Sequence, residues 1–472
     1  MIFNPALFLF FFLIVISIYY VIPLKLRNSW LLFTSYFFCL TYNLQSLLVL
    51  VYSTVVSYFI GLLIDRIAES RLSKKGAVIC LWSGIALCIL PLIINKADKN
   101  SLFVLIGISF YTLQEIGYMT DIYFHKREVE HNFINYAVFV AFFPKLVSGP
   151  IERSNDLLDQ IENISQPAFD YDRVREGFEL ILWGYFQKSV IADSFSLYVD
   201  KVYGQWEGYT GATILLATFL FAFQLYADFS GYTNIALGAA QVIGIRLREN
   251  FGQPYLAISI KDFWRRWHIS LSKWLRDYIY IPLGGNRGGK VKKYTNLLIT
   301  FLVSGIWHGG SWSFLAWGMI HGGYQVLEDY FRGIREKSEK QDRQRMILTF
   351  MSQLRVFIMV NIAWIFFRAS GLKAALGMLH KSIFDFSAGN LATDIFRTLN
   401  LNGINICIGF VFILLIITVD ILHENNIHIR ILLNRQNIVL RWICYMGALL
   451  ILTFVGLRRC GLEASNFIYM KF

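Results

Sequence analysis

The chain has 472 residues, of which 56% are hydrophobic, 17% aromatic and only 16% charged. Because a soluble domain of this length needs far less apolar surface, the composition excludes a soluble globular protein and predicts a polytopic membrane protein. The formal net charge is +12, but the cations lie in short segments between apolar runs, so we expect contact with membrane lipid and no nucleic-acid site.

Apolar runs recur along the whole chain. We predict an all-α polytopic membrane fold with roughly eleven membrane segments, because about 20 apolar residues cross a bilayer. The simplest division is one membrane domain, 1–472, with a core at 101–331 and peripheral helices at 1–100 and 346–472. The six cysteines lie mostly within the runs without metal-ligand spacing, so we predict no bound metal. The runs lie near residues 5–23, 30–64 (two spans), 77–95, 101–120, 133–147, 178–192, 212–245, 297–331, 350–385, 404–422 and 437–457.

The first part of the chain offers mainly membrane segments. Run 5–23 lacks a basic n-region and an A-x-A cleavage site, so we expect a retained helix. Lys25 and Arg27 follow it, so its N-terminus is predicted to lie outside. Run 133–147 ends in FFPKLVSGP and is too short for a full span, which favours a re-entrant segment. Residues 151–176 are polar and acidic, as is typical of a surface connection without chemistry.

Run 212–245 carries polar side chains at membrane depth. Its stretch QLYADFSGYTNIALG contains Asp228, Ser230, Tyr232 and Asn234. Such side chains usually face protein or a wet cavity, which makes Asp228 a possible supporting residue of an active site. Structural hydrogen bonding between helices is the competing interpretation.

The block SIKDFWRRWHISLSKWLRDYIYIPLGGNRGG has a helical period. Spacings of three and four place large apolar residues on one helix face, namely Trp264, Trp267, Leu271, Trp274 and Tyr278. Charged residues lie largely on the other side, namely Arg265, Arg266, Lys273, Arg276 and Asp277. We expect one helix in the cytoplasmic interface, and membrane anchoring is the competing role. The turn PLGGNRGG follows, and its backbone N–H groups together with Arg287 are suited to hold a phosphate.

The stretch FLVSGIWHGGSWSFLAWGMIHGGY holds an imidazole, His308, within a predicted membrane segment. An ionisable side chain at this depth costs about 3 kcal/mol unless it faces protein or a cavity, so its presence indicates a function. A structural histidine with two hydrogen bonds is the alternative. The glycines that follow His308 permit a kink or a close approach of a ligand. Four nearby residues are candidate cavity walls: Trp307, Ser311, Trp312 and Trp317.

Positive residues flank this stretch on both sides, so both ends are predicted to be cytoplasmic. They are Lys290, Lys292 and Lys293 before it, and Arg332, Arg335, Lys337, Lys340, Arg343 and Arg345 after it. The 38 residues at 294–331 exceed one span and fall short of two. We expect a broken or re-entrant hairpin bent at Gly309 and Gly322, with two short tilted helices as the alternative.

Four motifs together resemble the membrane-bound O-acyltransferase family, in its alginate O-acetyltransferase branch. They are FWRRWHISLSKWLRDYIYIPLGGNR, ADFSGYTN, FFPKLVSGPI and SGIWHGGSW. The resemblance runs over most of the chain and is strongest at 221–324. It implies a polytopic helical fold with a central tunnel, acyl transfer by a histidine corresponding to His308, a cytosolic acyl donor and an acceptor hydroxyl on the other side.

Two departures from the family pattern leave the acceptor open. Asn234 stands where this branch often has Asp, and FFPKLVSGPIER carries Lys145 and Glu152 where relatives have other residues. Teichoic acid D-alanylation enzymes share the fold and the histidine. The ending IPLGGNR is more similar to the polysaccharide and peptidoglycan O-acetylation members.

Acyl transfer from a thioester to an alcohol needs a base for the hydroxyl proton and a donor for the developing oxyanion. His308 suits the first role. Trp307, Ser311 or a backbone N–H near Gly309 suits the second, and an acyl-histidine intermediate is another open route. His268 and His321 are further supporting candidates, against structural roles for both.

The basic block is the candidate donor site. Its possible donor-binding residues are Arg265, Arg266, Trp274, Arg276 and Arg287. They would attract the phosphates of coenzyme A or the acidic surface of a carrier protein, with lipid headgroups as competing ligands. We expect no bound cofactor and an acyl donor that is acetyl-CoA or an acyl-carrier thioester.

The sequence and the resemblance together predict a multi-pass enzyme of a bacterial cytoplasmic membrane. It moves an acyl group, most simply acetyl, from a cytosolic thioester to a hydroxyl of a cell-surface polysaccharide, of peptidoglycan or of an extracytoplasmic acyltransferase- or esterase-like partner. One alternative is D-alanyl transfer to teichoic acid from a carrier protein. Another is a proton-coupled transporter with His308, Asp228 and His321 as a relay, which the absence of repeated halves in the sequence disfavours.

Overall fold

The computed structural model describes residues 4–69, 74–97, 105–164, 169–335, 342–395 and 403–458. Every regular element in these ranges is a helix, as the all-α prediction requires. The chain divides into two compact units. The assignment of the whole chain to one membrane domain around a central tunnel stays a prediction.

The first unit contains the described residues up to Tyr185 together with Tyr232–Glu249. Asn4 begins its first helix, because its side chain accepts the N–H of Leu7 at 3.1 Å and Pro5 occupies the first helical position. The helices are α1 (Pro5–Val21), α2 (Arg27–Leu40), α3 (Leu44–Glu69), α4 (Lys74–Ala97), α5 (Ile108–Tyr123), α6 (Phe133–Ala141), α7 (Ser154–Glu162) and α8 (Tyr171–Tyr185).

Helix α6 is the short segment for which a re-entrant path was predicted. It has nine residues, too few to cross a bilayer, and turns continue the chain to Ser148. The side chain of Lys145 in these turns is fully buried, and its amine donates to the Gln114 amide oxygen at 2.5 Å. The connection predicted at 151–176 is largely helical, because α7 and the start of α8 occupy it.

The second unit contains Phe186–Gly231 and the described residues from Asn250 onward. It begins with a π-helical segment, Phe186–Ala192. Its helices are α9 (Asp193–Gly204), α10 (Gly211–Ile243), α11 (Ile260–Arg266), α12 (Ile269–Leu275), α13 (Gly289–His308), α14 (Trp312–Arg335), α15 (Asp342–Arg368), α16 (Leu372–Phe384), α17 (Leu391–Thr393), α18 (Gly403–Glu424), α19 (Ile429–Asn434) and α20 (Ile438–Arg458). The part of α10 from Tyr232 onward belongs to the first unit.

Within the described residues, four helices are long and apolar enough to cross a membrane: Leu44–Ala68, Lys74–Lys96, Gly211–Ile243 and Met346–Arg368. Two shorter apolar helices, Pro5–Val21 and Ile438–Phe454, accompany them. Many large apolar side chains on these helices are exposed, for example Trp82 at 64%, as expected for surfaces that face lipid. The polytopic class is therefore supported, whereas the number of eleven segments stays a prediction.

The basic aromatic block forms two short α-helices, the second continued by a π-helical segment at Arg276–Tyr280, and the expectation of one continuous helix is wrong. Helix α11 ends at Arg266, Trp267 is extended, and His268 has a left-handed backbone with φ +43° before α12 begins. The predicted division between faces is nevertheless observed for most of these residues, whereas Tyr278, Arg266 and Asp277 are half-buried. Trp264, Trp267, Leu271 and Trp274 are buried, whereas Arg265, Lys273 and Arg276 are exposed.

Helices α13 and α14 form a hairpin whose break falls at 309–311, as the glycine pair indicates. The two helices approach closely at Gly305, which has no side chain. A Cβ there would lie only 2.5 Å from the Phe314 carbonyl oxygen. The second predicted bend is wrong, since α14 continues through Gly322 without interruption. Gly322 instead packs on α13, where a Cβ would meet Leu298 at 3.1 Å.

Candidate active site

His308 is the last residue of α13, at the turn of the hairpin, and its side chain is 4% exposed. The helix stops there because Gly309 adopts an extended backbone. The N–H of Gly309 donates to the Gly305 carbonyl at 3.1 Å, so it completes the helix. The Gly309 amide is therefore occupied, and the other backbone N–H groups near Gly309 stay candidates for the oxyanion contact.

Aromatic rings surround the His308 imidazole. The centroid of Trp317 lies 4.9 Å away with its ring edge-on at 88°, and Phe367 of α15 lies 5.2 Å away at 76°. Trp307 contributes a third ring at 4.7 Å. Of the four predicted cavity walls, Trp312 is wrong because it is 74% exposed, and Ser311 is half-buried in the turn.

His321 is held by a tryptophan from α11. The indole N–H of Trp264 donates to His321 Nδ1 at 3.2 Å, and His321 is fully buried. A neutral imidazole whose Nδ1 accepts a hydrogen bond carries its proton on Nε2. His321 is thereby fixed as an N–H donor at Nε2, and its Nδ1 lone pair is occupied.

Three buried rings that each carry an N–H group pack against one another beside His308, and we call Trp317, His321 and Trp364 the donor cluster. The ring centroid of Trp317 lies 5.1 Å from that of His321 and 6.2 Å from that of Trp364. The centroids of His321 and Trp364 are 6.1 Å apart. Among the residues that the structure describes, their Nε1 and Nε2 atoms have no hydrogen-bond acceptor. A buried donor in that condition costs about 1–3 kcal/mol, so a cluster of three requires an explanation.

His268 lies beside the same aromatic group. It is 1% exposed, with Phe229 edge-on at 4.7 Å and Trp307 at 6.0 Å, so Trp307 contacts both His268 and His308. Burial lowers the pKa of His268 from 6.5 to about 3. His268 is therefore a neutral imidazole at physiological pH.

Asp228 is part of an ion-pair group in the second unit. Lys188, on the π-helical segment, lies 2.8 Å from the carboxylates of both Asp228 and Asp193. The neighbouring Ser230 hydroxyl accepts the Gln187 amide N–H at 3.0 Å. Charge compensation by Lys188 gives Asp228 a structural role, and its supporting role in catalysis stays a prediction.

Two of the predicted donor-binding arginines are paired with carboxylates. Arg266 contacts Glu424 at 2.6 Å and Asp262 at 3.1 Å. Arg276 contacts Asp277 at 2.7 Å. A phosphate ligand would have to compete with these carboxylates, so both arginines are weaker anion sites than the sequence indicates.

The other predicted donor-binding residues divide by exposure. Arg265 and Arg287 are exposed and make no ion pair with any described residue, so both are available to an anion. Trp274 is buried against Tyr278, with ring centroids 5.1 Å apart, and therefore packs the block rather than facing solvent.

The glycine turn that precedes α13 uses several of its amides internally. The N–H groups of Gly284, Gly285 and Arg287 donate to carbonyls of the same turn at 2.9–3.0 Å. The two glycines have positive φ, which such a tight turn requires. These three amides do not form the phosphate cradle that the sequence indicated.

Known proteins resemble this chain over most of its length. Residues 125–368 match the sequence model of the membrane-bound O-acyltransferase (MBOAT) family. The probable alginate O-acetylase AlgI of Pseudomonas syringae pv. tomato is 37% identical over 413 residues, which cover 83% of this chain and 77% of that protein. The peptidoglycan O-acetyltransferase of Helicobacter pylori is 31% identical over 450 residues, 86% of this chain and 81% of that protein.

A relative of lower identity matches a smaller part of the chain. The teichoic acid D-alanyltransferase of Streptococcus thermophilus is 29% identical over 277 residues, which cover 55% of this chain and 66% of that protein. His308, His268, His321 and Asp228 all lie within the range that the family model matches.

Proposed function

Because the chain belongs to the membrane-bound O-acyltransferase family and is an acyltransferase, we propose that it transfers an acetyl group from a cytosolic thioester to a hydroxyl of a cell-surface polysaccharide or of peptidoglycan. The observation that carries this proposal is His308, a buried imidazole at the hairpin turn with aromatic rings on several sides. An imidazole in its neutral form is suited to remove a proton from an alcohol.

The reaction needs one proton acceptor and one stabilised oxyanion. The His308 imidazole takes the hydroxyl proton while the hydroxyl oxygen bonds to the thioester carbonyl carbon, and the carbonyl electron pair moves onto its oxygen. When the pair returns, the carbon–sulfur bond breaks and the ester is released. The thiolate leaves with the bonding electrons and takes the proton from the imidazolium, which restores the neutral base.

Two considerations support acetyl as the group that is transferred. The relatives that cover most of this chain carry O-acetylation names, whereas the D-alanyltransferase similarity covers 55% of it. In addition, the rings packed around His308 are uncharged and aromatic, and such surroundings suit a small neutral acyl group better than an aminoacyl group with its ammonium.

The thioester is proposed to arrive from the cytosol, as acetyl-CoA or on an acyl carrier. The exposed guanidinium groups of Arg265 and Arg287 are available to its phosphates. The acetyl group then leaves on an extracytoplasmic hydroxyl, either of the glycan or of a partner protein that completes the transfer. The bacterial relatives support placement in the inner membrane.

Sealed vesicles of known orientation test the proposal. Radiolabelled acetyl-CoA supplied to the cytoplasmic face should label an acceptor glycan on the opposite face, and His308→Ala should abolish the labelling. Equal labelling when acetyl-CoA is supplied only to the extracytoplasmic face contradicts transfer across the membrane. A wild-type preparation that transfers no acetyl group from acetyl-CoA or from an acyl carrier contradicts the proposed reaction itself.

A further inference from the structure

We propose that the donor cluster, Trp317, His321 and Trp364, binds the carbonyl oxygen of the acyl group and stabilises the oxyanion that develops there. This inference rests on the proposed function. It assigns the oxyanion contact to the indole N–H of Trp317, rather than to Trp307, Ser311 or a backbone N–H near Gly309.

The chemistry of the cluster selects its ligand. An indole N–H only donates, and His321 can only donate at Nε2 because its Nδ1 accepts from Trp264 at 3.2 Å. The three side chains are at most 1% exposed, and within the described part of the chain these N–H groups have no acceptor. A set of buried donors without acceptors fits a ligand atom that only accepts, and a carbonyl oxygen is such an atom.

The position of the cluster fits the reaction. Trp317 contacts the base directly, with 4.9 Å between its ring centroid and that of His308. His321 and Trp364 also pack on Trp317, with ring centroids at 5.1 Å and 6.2 Å. In the proposed complex the acyl group lies beside Trp317, with its carbonyl carbon near the hydroxyl held by His308 and its oxygen accepting from the donors.

The donor cluster stabilises the transition state more than it stabilises the bound thioester. The carbonyl oxygen gains negative charge as the hydroxyl attacks, and fixed donors in a dry site interact with that charge much more strongly than with the neutral carbonyl. Loss of one such donor lowers kcat and leaves the affinity for the thioester nearly unchanged.

The decisive variant removes one N–H and keeps the shape. Trp317 is replaced by β-(3-benzothienyl)alanine, in which sulfur takes the place of the indole N–H. We expect kcat to fall about 100-fold, as for loss of one oxyanion donor, with KM for the acetyl donor within about two-fold of wild type. The same replacement at Trp312, which is 74% exposed on the same helix, is the matched control and should change neither constant.

A second measurement does not depend on turnover. Acetonyl-CoA, a ketone analogue of acetyl-CoA labelled with ¹³C at its carbonyl, is bound to the protein and its C=O stretching band is recorded. Wild type should shift this band to lower frequency than in water, and the Trp317 replacement should reverse most of the shift.

The outcomes separate this inference from the proposed function. If wild type transfers acetyl groups and the Trp317 replacement keeps wild-type kcat, or changes only KM, the assignment of the donor cluster is overturned while the proposed function stands. An unshifted carbonyl band in wild type also overturns it. A shifted band in a protein that transfers no acetyl group supports the donor cluster and contradicts the proposed reaction.

Discussion

His308 and His321 are thirteen residues apart by their numbers, and their surroundings give the two imidazoles different capacities. His308 lies at the hairpin turn between Trp317 and Phe367. His321 accepts the Trp264 N–H, which fixes its tautomer and occupies one of its two nitrogens. The sequence shows two similar residues in an apolar stretch. The Trp264 hydrogen bond fixes His321 as a donor at Nε2, and His308 stays the candidate base.

Replacement of His308 by alanine should remove acyl transfer, by at least the factor of about 10²–10⁴ that general bases contribute. Membrane insertion and yield should stay near wild type, because the close contact of α13 with α14 is made through Gly305 and Gly318 and not through the His308 ring. Transfer of labelled acetyl to acceptor, normalised to purified protein, measures the effect.

His380→Ala is the matched control, since His380 is exposed on α16 and has no proposed role in the reaction. It should keep wild-type activity. Full activity of the His308→Ala protein would exclude His308 as the base.

His268 predicts a pH dependence of stability. Its folded-state pKa of about 3 lies below its unfolded value of 6.5, so the unfolded chain takes up the proton first. The contribution of His268 to the free energy of unfolding is fully present above pH 6.5. It is lost as the pH falls from 6.5 toward 3. Between pH 7.5 and pH 5 the loss from this group is about 2 kcal/mol.

His268→Asn tests this prediction, because Asn does not titrate and tolerates the left-handed backbone at this position. The unfolding free energy in detergent should fall by about 2 kcal/mol less in the variant than in wild type over that pH range. Parallel pH profiles of the two proteins would show that His268 is not buried as a neutral imidazole.

At the scale of elements, the block 260–280 shows what periodicity can and cannot predict. Alternating spacings correctly predicted that Trp264, Trp267 and Trp274 are buried and that Arg265 is exposed. They wrongly predicted one helix, because a left-handed His268 leaves the side-chain pattern on both sides intact. A single residue with unusual backbone angles changes the path of the chain without leaving a signal in hydrophobic spacing.

The hairpin of α13 and α14 depends on small residues at its contact. A Cβ on Gly318 would clash with the carbonyl oxygen of Phe301, so Gly318→Ala must push the two backbones apart. We expect a loss of about 1–3 kcal/mol in stability and a lower melting temperature in detergent.

Gly323→Ala, five residues further along α14, provides the comparison because nothing lies within 4 Å of its added methyl group. It should be neutral or raise stability by about 0.5–1 kcal/mol through helix propensity. Equal effects of the two substitutions would mean that propensity, and not close packing, determines the response.

At the scale of the whole molecule, composition and motifs predicted the class and the family, and both predictions are confirmed. The environment of the candidate base was only partly predictable. Phe367 and Trp364 come from α15 and were not recognised, and Trp264 contacts a partner 57 residues away. Periodicity predicts which residues of one helix share a face. This site is built from four helices, and hydrophobic spacing does not predict how they pack against one another.

The orientation of the chain yields a labelling prediction. The lysines before α13 are predicted to be cytoplasmic and the N-terminus outside. In a Cys444→Ser background, which removes an exposed native thiol, an impermeant maleimide added to intact cells should label Asn4→Cys and leave Lys290→Cys unlabelled.

Efficient labelling at position 290 in intact cells would show that the predicted orientation of the α13–α14 hairpin is wrong. The second flank of positive charge, 332–345, has side chains outside the described part of the chain, so position 290 is the better probe.

The aromatic packing beside His308 also gives the protein an optical property. Trp264, Trp317, Trp364 and Trp267 form a continuous series with centroid separations of 5.8, 6.2 and 5.2 Å. Indole transitions at such separations couple, so near-ultraviolet circular dichroism should contain an exciton signal from these four of the twelve tryptophans. Excitation absorbed by any of them can migrate to Trp317, whose emission would respond to whatever occupies the space next to the imidazole.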